Sequence, residues 1–286
     1  MLKNITIIGL GMMGASLALG VNKKLPKCKV KALVRKKKYI QLAKKNNIKA
    51  DIYTTPSYEA LDSELIVLAV PVHSTEPVLK NILPFLNEKT IITDIGSTKT
   101  QVVKTAYKIL KNKNPFIGSH PMCGSEKSGI NFAKKGLYVN STCIITPYKN
   151  SKREINFIKN FWESIGTKTI IMTPDEHDKY TALISHVPHI VSSTLMNYIF
   201  HPRININKIK KIFGKGYSDM TRLAEGNAVV WEGIIKTNKK HITKSLKLFN
   251  KEINSLISDI EKDKFNKIYS YLDNASKRKK KFLKLN

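Results

Sequence analysis

Arginine is nearly missing from this chain: of its 50 basic residues only Arg35, Arg153, Arg203, Arg222 and Arg278 are arginine, and 45 are lysine. Acidic residues are few as well, 21 in all, so the formal net charge is +29. Clustered cations gain affinity for nucleic acid by releasing phosphate counterions. Reading bases and gripping phosphates bidentately favours arginine, however, whereas lysine also serves as a generic solvated surface residue. A lysine-coated surface with no nucleic-acid partner is the expectation. Cysteine is limited to Cys28, Cys123 and Cys143, without CxxC pairs or histidines at ligand spacing. Reduced thiols are expected, and neither a disulfide framework nor a metal site. No apolar run reaches the ~18 residues of a membrane span, and MLKNITIIGLGMMG is broken by glycine where a signal peptide stays apolar. The expected location is the cytoplasm, away from membranes.

What is present is a regular alternation. Short β-branched runs at 4–9, 29–34, 64–70, 90–95, 115–118, 142–146 and 168–172 are separated by helical patterns near 12–24, 37–47, 74–86, 98–111 and 151–165. Strands alternating with helices imply right-handed crossovers and a mostly parallel sheet covered on both faces. Beyond about residue 173 the strand signal stops, and 174–200, 206–213 and 226–272 carry helical periodicity alone. The expected fold class is α/β: a Rossmann-type doubly wound domain over 1–172, followed by an all-helical domain over 173–286.

The first strand runs into GLGMMG, a GxGxxG with Gly9, Gly11 and Gly14 around Met12 and Met13. Such a turn needs glycine for tightness, for approach of the backbone to a pyrophosphate, and for helix–strand packing, and it aims a helix N-terminus at the anion. These five residues are therefore expected to bind a dinucleotide. The second strand leads into LVRKKK, with Arg35 where an NAD enzyme usually carries an acid for the ribose hydroxyls. Arginine there suits a 2′-phosphate, so NADP is favoured over NAD.

Ligands of doubly wound sheets lie outside the carboxyl ends of the strands. Three polar loops fall at such ends: PVHSTEP (71–77), GSTK (96–99) and the string GSHPMCGSEKSG (118–129). That string has little to offer a packed core and reads as a site loop. Asp94, Ser97, Lys99, His120, Ser125 and Glu126 are expected to converge on one cleft. His177, Asp178, His186 and His189 cluster in the sequence, but Pro188 and the lack of HExxH spacing argue against a metal, and His186 reads as a packing residue.

Together GLGMMG, DIGSTK, GSHPMCGSEKSG, HDKYTALISHVPH (177–189) and YSDMTRLAEGNAVVW (217–231) resemble the prephenate and arogenate dehydrogenases of tyrosine biosynthesis, in order and spacing, from residue 5 to about 235. The resemblance implies a two-domain, monofunctional homodimer that joins through its helical half. It implies oxidative decarboxylation of prephenate or arogenate with a nicotinamide nucleotide. By the same resemblance His120 assists deprotonation of the ring hydroxyl, Ser97 orients that histidine, and Arg222 grips a carboxylate. His189, Ser185, Ser125, Glu126 and Trp231 line the substrate pocket. Cys123, Ser125 and Gly226-Asn227-Ala228 depart from the commoner family pattern. A hydroxyacid or imine dehydrogenase of the same plan is the alternative, and the lone Lys215 of GKGYSDM lacks the GxxxK setting that a β-hydroxyacid dehydrogenase would need.

Overall fold

The computed structural model describes residues 2–111, 113–124, 127–201 and 203–283. The chain divides into two compact units, 1–239 and 240–286.

Unit one is built on one eight-stranded sheet. Its strands are β1 (Asn4–Ile8), β2 (Lys29–Leu33), β3 (Asp51–Tyr53), β4 (Leu65–Leu68), β5 (Ile91–Asp94), β6 (Phe116–Pro121), β7 (Thr142–Thr146) and β8 (Lys168–Ile171). The order is β3-β2-β1-β4-β5-β6-β7-β8, parallel throughout except that β7 runs antiparallel to β6. Helices α1 (Met12–Lys24), α2 (Lys38–Lys45), α3 (Tyr58–Leu61), α4 (Thr75–Ile82), α5 (Thr100–Leu110) and α6 (Lys152–Ser164) connect the strands. The expected doubly wound α/β class is observed. Strand β3 and the one-turn α3 carry too short an apolar signal to stand out in the sequence.

Alternation along β4 shows why the sheet is buried on both sides. Leu65 and Val67 join a core with α1 and α6, while Ile66 and Leu68 join a second core with α4 and α5. Continuous apolar strands of this kind belong to sheets covered by helices on each face.

The string 118–129 is not the loop expected of it. Its first four residues, Gly118 to Pro121, extend β6, all buried, with His120 opposite Ile144 of β7. The antiparallel partner β7 supplies the ladder that a short PFIG run cannot predict. Gly118 permits that approach, since a Cβ there would lie 2.4 Å from the Thr146 hydroxyl oxygen. Pro121 closes the strand. Ser125 and Glu126 lie outside the described residues.

After β8 come α7 (Pro174–Thr181), a π-helical turn at Ala182–His186, α8 (Val187–Tyr198), α9 (Ile206–Ile212), α10 (Lys215–Thr221), a 3₁₀ turn at Arg222–Glu225 and α11 (Ala228–Thr237). A capping box of Thr173 and Glu176 with Pro174 in the first turn starts α7 sharply. Residues 174–200, expected as one helix, are thus divided by a π turn, a feature that recurs at functional sites. Unit two holds α12 (Lys239–Glu261) from its second residue onward and α13 (Phe265–Leu283), and Leu248, Ile257, Ile260 and Phe265 of these helices are exposed. Among the described residues no helix is long and apolar enough to cross a membrane.

Candidate active site

The glycine turn at 9–14 has the shape its sequence predicts. Gly9 has φ +98°, and a Cβ there would lie 2.6 Å from the Ala69 carbonyl oxygen. A Cβ on Gly14 would fall 2.0 Å from the Gly9 carbonyl oxygen, so the turn closes on the helix only with glycine. Gly11 faces open space, with nothing within 4 Å of a Cβ, which leaves room for a ligand against the backbone at the N-terminus of α1. A pyrophosphate fits there. Met12 is buried and the Met13 backbone carbonyl accepts from Tyr138 Oη at 2.8 Å, so the start of α1 is braced from behind. Arg35 lies just past β2, exposed, beside the end of β1.

A cleft of about 390 Å³ opens at the carboxyl end of β6. Ser97, His120, Ser185, His189, Arg222 and Trp231 all line it, although they come from four separate segments of the sequence. Asp94 and Lys99, also expected there, do not line the cleft. They form a buried ion pair behind it: the Lys99 ammonium donates to Asp94 and, at 2.9 Å, to the Ser119 carbonyl, while Asp94 accepts from the Ser119 and Gly96 amides at 3.1 and 2.9 Å. The pair ties the β5 loop to β6 and so fixes the backbone next to His120. Its charges are satisfied by each other and by backbone, as burial demands.

His120 is 8% exposed, and its Nδ1 lies 2.8 Å from Nε2 of the fully buried His177. His177 Nδ1 lies 2.9 Å from Asp178 Oδ1. The Asp178 carboxylate also accepts from the Lys99 and Thr100 amides at 2.7 and 2.8 Å, capping the start of α5. Among the described residues the ring hydrogen bond of His120 is made with His177, and Ser97 lines the same cleft. That role of His177 was not read from the sequence, although HDKY placed a histidine beside a carboxylate in plain view.

Burial pushes the His120 pKa well below its usual value, and the neighbouring His177, Lys99 and His186 push the same way. His177 is also lowered, by burial against the opposing pull of Asp178. Burial works against ionisation of Asp178, but the bonds from His177, Thr100 and Lys99 outweigh it and hold its carboxyl below the usual range. Both rings are therefore neutral and Asp178 ionised near pH 7.

On the opposite wall His189 donates from Nδ1 to the Ser185 carbonyl at 2.9 Å and lies over the Trp231 ring with centroids 4.0 Å apart. Burial lowers the His189 pKa, with Arg222 adding to the effect. Gly226 packs directly on the Trp231 indole, where a Cβ would come within 2.5 Å of Nε1, so this departure from the family pattern makes room for the tryptophan. His186 is buried as expected, bonded to Asn238 at 3.2 Å, yet it also reaches the cleft; burial takes its pKa down to about 4. Among the described residues no cluster of three His, Cys, Asp or Glu side chains is placed to hold a metal.

A family model described as prephenate dehydrogenase, nucleotide-binding domain, matches residues 17–183. The chain belongs to the prephenate dehydrogenase family. A second model, the prephenate dehydrogenase dimerization domain, matches 173–274. Prephenate dehydrogenases of Bacillus subtilis and Lactococcus lactis are 30% and 31% identical, over 95% and 96% of this chain and 74% and 76% of their own lengths. A crystal structure of prephenate dehydrogenase from A. aeolicus with hydroxyphenyl propionate and NAD+ superposes with a TM-score of 0.91 at 27% identity, covering 99% of each chain. The family's reaction is an oxidative decarboxylation in tyrosine biosynthesis, and this chain is an oxidoreductase of that family with a pyridine-nucleotide-binding domain.

Proposed function

We propose that the cleft binds prephenate, that Arg222 holds a substrate carboxylate, and that His120 handles the proton of the ring hydroxyl. The observation that carries this reading is the gathering of His120, Ser97, His189 and Arg222 around one cleft at the carboxyl end of β6. A pyridine nucleotide held at the glycine turn would take up the hydride that leaves the ring carbon bearing the hydroxyl. His120 receives the hydroxyl proton as that carbon becomes a carbonyl carbon. Cleavage of the bond to the ring carboxylate releases carbon dioxide and sends its electron pair into the ring. The oxygen, now phenolate, takes the proton back from His120, so the reaction has no net proton demand. A histidine kept neutral by burial suits this loan, since it returns the proton readily. Ser97 lies on the same wall, within the cleft, to hydrogen-bond the hydroxyl. Trp231 and Val230 exclude water from one face of the ring.

Lys127 and Arg222 line the cleft and no carboxylate does among the described residues, which favours the doubly negative prephenate over arogenate with its ammonium. NADP is the preferred nucleotide, supported by an exposed Arg35 at the end of β2. Steady-state comparison of prephenate and arogenate, each with NADP and NAD, is expected to rank prephenate with NADP first. Arg35→Asp is expected to raise KM for NADP roughly 10- to 100-fold, the loss of a charge-assisted hydrogen bond, without raising that for NAD. An unchanged NADP/NAD ratio would show that Arg35 has no part in the choice.

The division expected near residue 172 separates nucleotide binding from a helical half that forms a homodimer. The dimerization-domain match over 173–274 and the exposed apolar side chains of α12 support it. Sedimentation equilibrium is expected to return twice the chain mass, and a monomer at micromolar concentration would refute the assembly.

A further inference from the structure

We infer that His177 and Asp178 form a buried positioning relay that fixes the tautomer of His120 and directs its Nε2 lone pair into the cleft. The inference rests on His120 as the group that takes the hydroxyl proton. Its logic is the direction of each hydrogen bond. Backbone amides can only donate, and those of Lys99 and Thr100 both point at the Asp178 carboxylate. An ionised carboxylate can only accept, so the 2.9 Å contact from His177 Nδ1 requires the proton on that nitrogen. A neutral His177 then has only a lone pair at Nε2. The 2.8 Å contact with His120 in turn requires the proton on His120 Nδ1. One nitrogen of His120 remains, Nε2, and it carries the lone pair a base needs.

The same chain serves the reaction once His120 becomes cationic. Its Nδ1 proton already points at an acceptor polarised by an anion, so the positive charge is shared along His177 toward Asp178 and stays off the buried β6 strand. The arrangement follows the rule by which an aspartate orients a catalytic histidine, lengthened here by one imidazole. Asp178 has a second duty, as the cap of α5, which places the relay and the Ser97-to-Lys99 loop on one anchor.

Two substitutions separate the relay from mere packing. The amide of His177→Asn reaches the Nδ1 position and keeps Asp178 satisfied, but leaves the His120 Nδ1 proton without an acceptor. In His177→Gln the side-chain oxygen falls near the former Nε2 and restores that acceptor. His177→Asn is expected to lower kcat about 10- to 100-fold with KM for substrate and nucleotide within about twofold, and His177→Gln to recover most of that loss. The acid limb of kcat/KM is also expected to move to lower pH in His177→Asn, because the cationic form of His120 loses its stabilising acceptor. The other charged or titratable groups facing His120 are Lys99 with Asp94 behind it, His186, Cys143 of β7, and Lys127, Arg222 and His189 across the cleft. All of them are present in both variants, so the displacement reports the relay. Nitrogen-15 NMR of the wild-type protein supplies a measurement free of folding defects: both rings are expected to be protonated at Nδ1 near pH 7.

If His177→Asn keeps kcat within threefold, or if His120 is protonated at Nε2, the relay is overturned. If His120→Asn itself remains fully active, the base assignment fails instead, and the two failures cannot be confused.

Discussion

His120→Asn is expected to lower kcat by roughly 10² to 10⁴, the usual contribution of a positioned general base. The size follows from the reaction's structure. Aromatisation drives the release of carbon dioxide, so the protein has to orient the ring and accept one proton while hydride departs. Without the imidazole the hydroxyl keeps its proton until the ring carbon is nearly cationic, and that charge then develops in a cleft already lined by Lys127 and Arg222. Nucleotide affinity should be unchanged, since the glycine turn at Gly9 to Gly14 lies at a different strand end. Stopped-flow reduction of the nucleotide with saturating substrate measures the loss, and calorimetry checks the affinity. A variant within threefold of wild type would remove His120 from the chemistry.

Arg222→Gln should act on binding rather than on the chemical step. A guanidinium holding a carboxylate through charge-assisted hydrogen bonds contributes about 1.5–3 kcal/mol, equivalent to roughly 10- to 100-fold in KM for substrate. Arg222→Lys is expected to recover only a small part, because the ammonium lacks the planar fork. Since the ring carboxylate is also the leaving group, some fall in kcat accompanies the weaker binding through looser placement of the ring. The informative result is the ratio: a large rise in KM with a modest fall in kcat supports a clamp, whereas unchanged KM would place the carboxylate elsewhere.

The sequence was legible where local chemistry is strong. GxGxxG between an apolar run and a helix start located the tight turn from β1 into α1, and the shift from period two to period 3.6 located the end of the sheet at β8. His120, Ser97, Ser185, His189, Arg222 and Trp231 were all found as candidates, and one cleft brings them together. What stayed hidden depends on long-range pairing. Residues 118–121 read as a loop because their strand character comes from β7, more than twenty residues away, and from a glycine that allows it to approach Thr146. Asp94 and Lys99 read as site residues because a sequence cannot say that two opposite charges bury each other beneath a strand. His177 was visible only as part of a histidine cluster, since its meaning lies in a 2.8 Å contact with a residue 57 positions earlier. The π turn at Ala182–His186 was equally silent, yet it carries both Ser185 and His186 to the cleft.

The central claim is that this cleft takes a hydride from the hydroxyl-bearing ring carbon and couples that to loss of carbon dioxide. Prephenate carrying deuterium on that carbon, incubated with the purified protein and NADP, tests it most directly. The account predicts one deuterium in the reduced nucleotide for each carbon dioxide released, with none left on the phenolic product. Deuterium retained in the aromatic ring, or carbon dioxide released without reduction of the nucleotide, would contradict it.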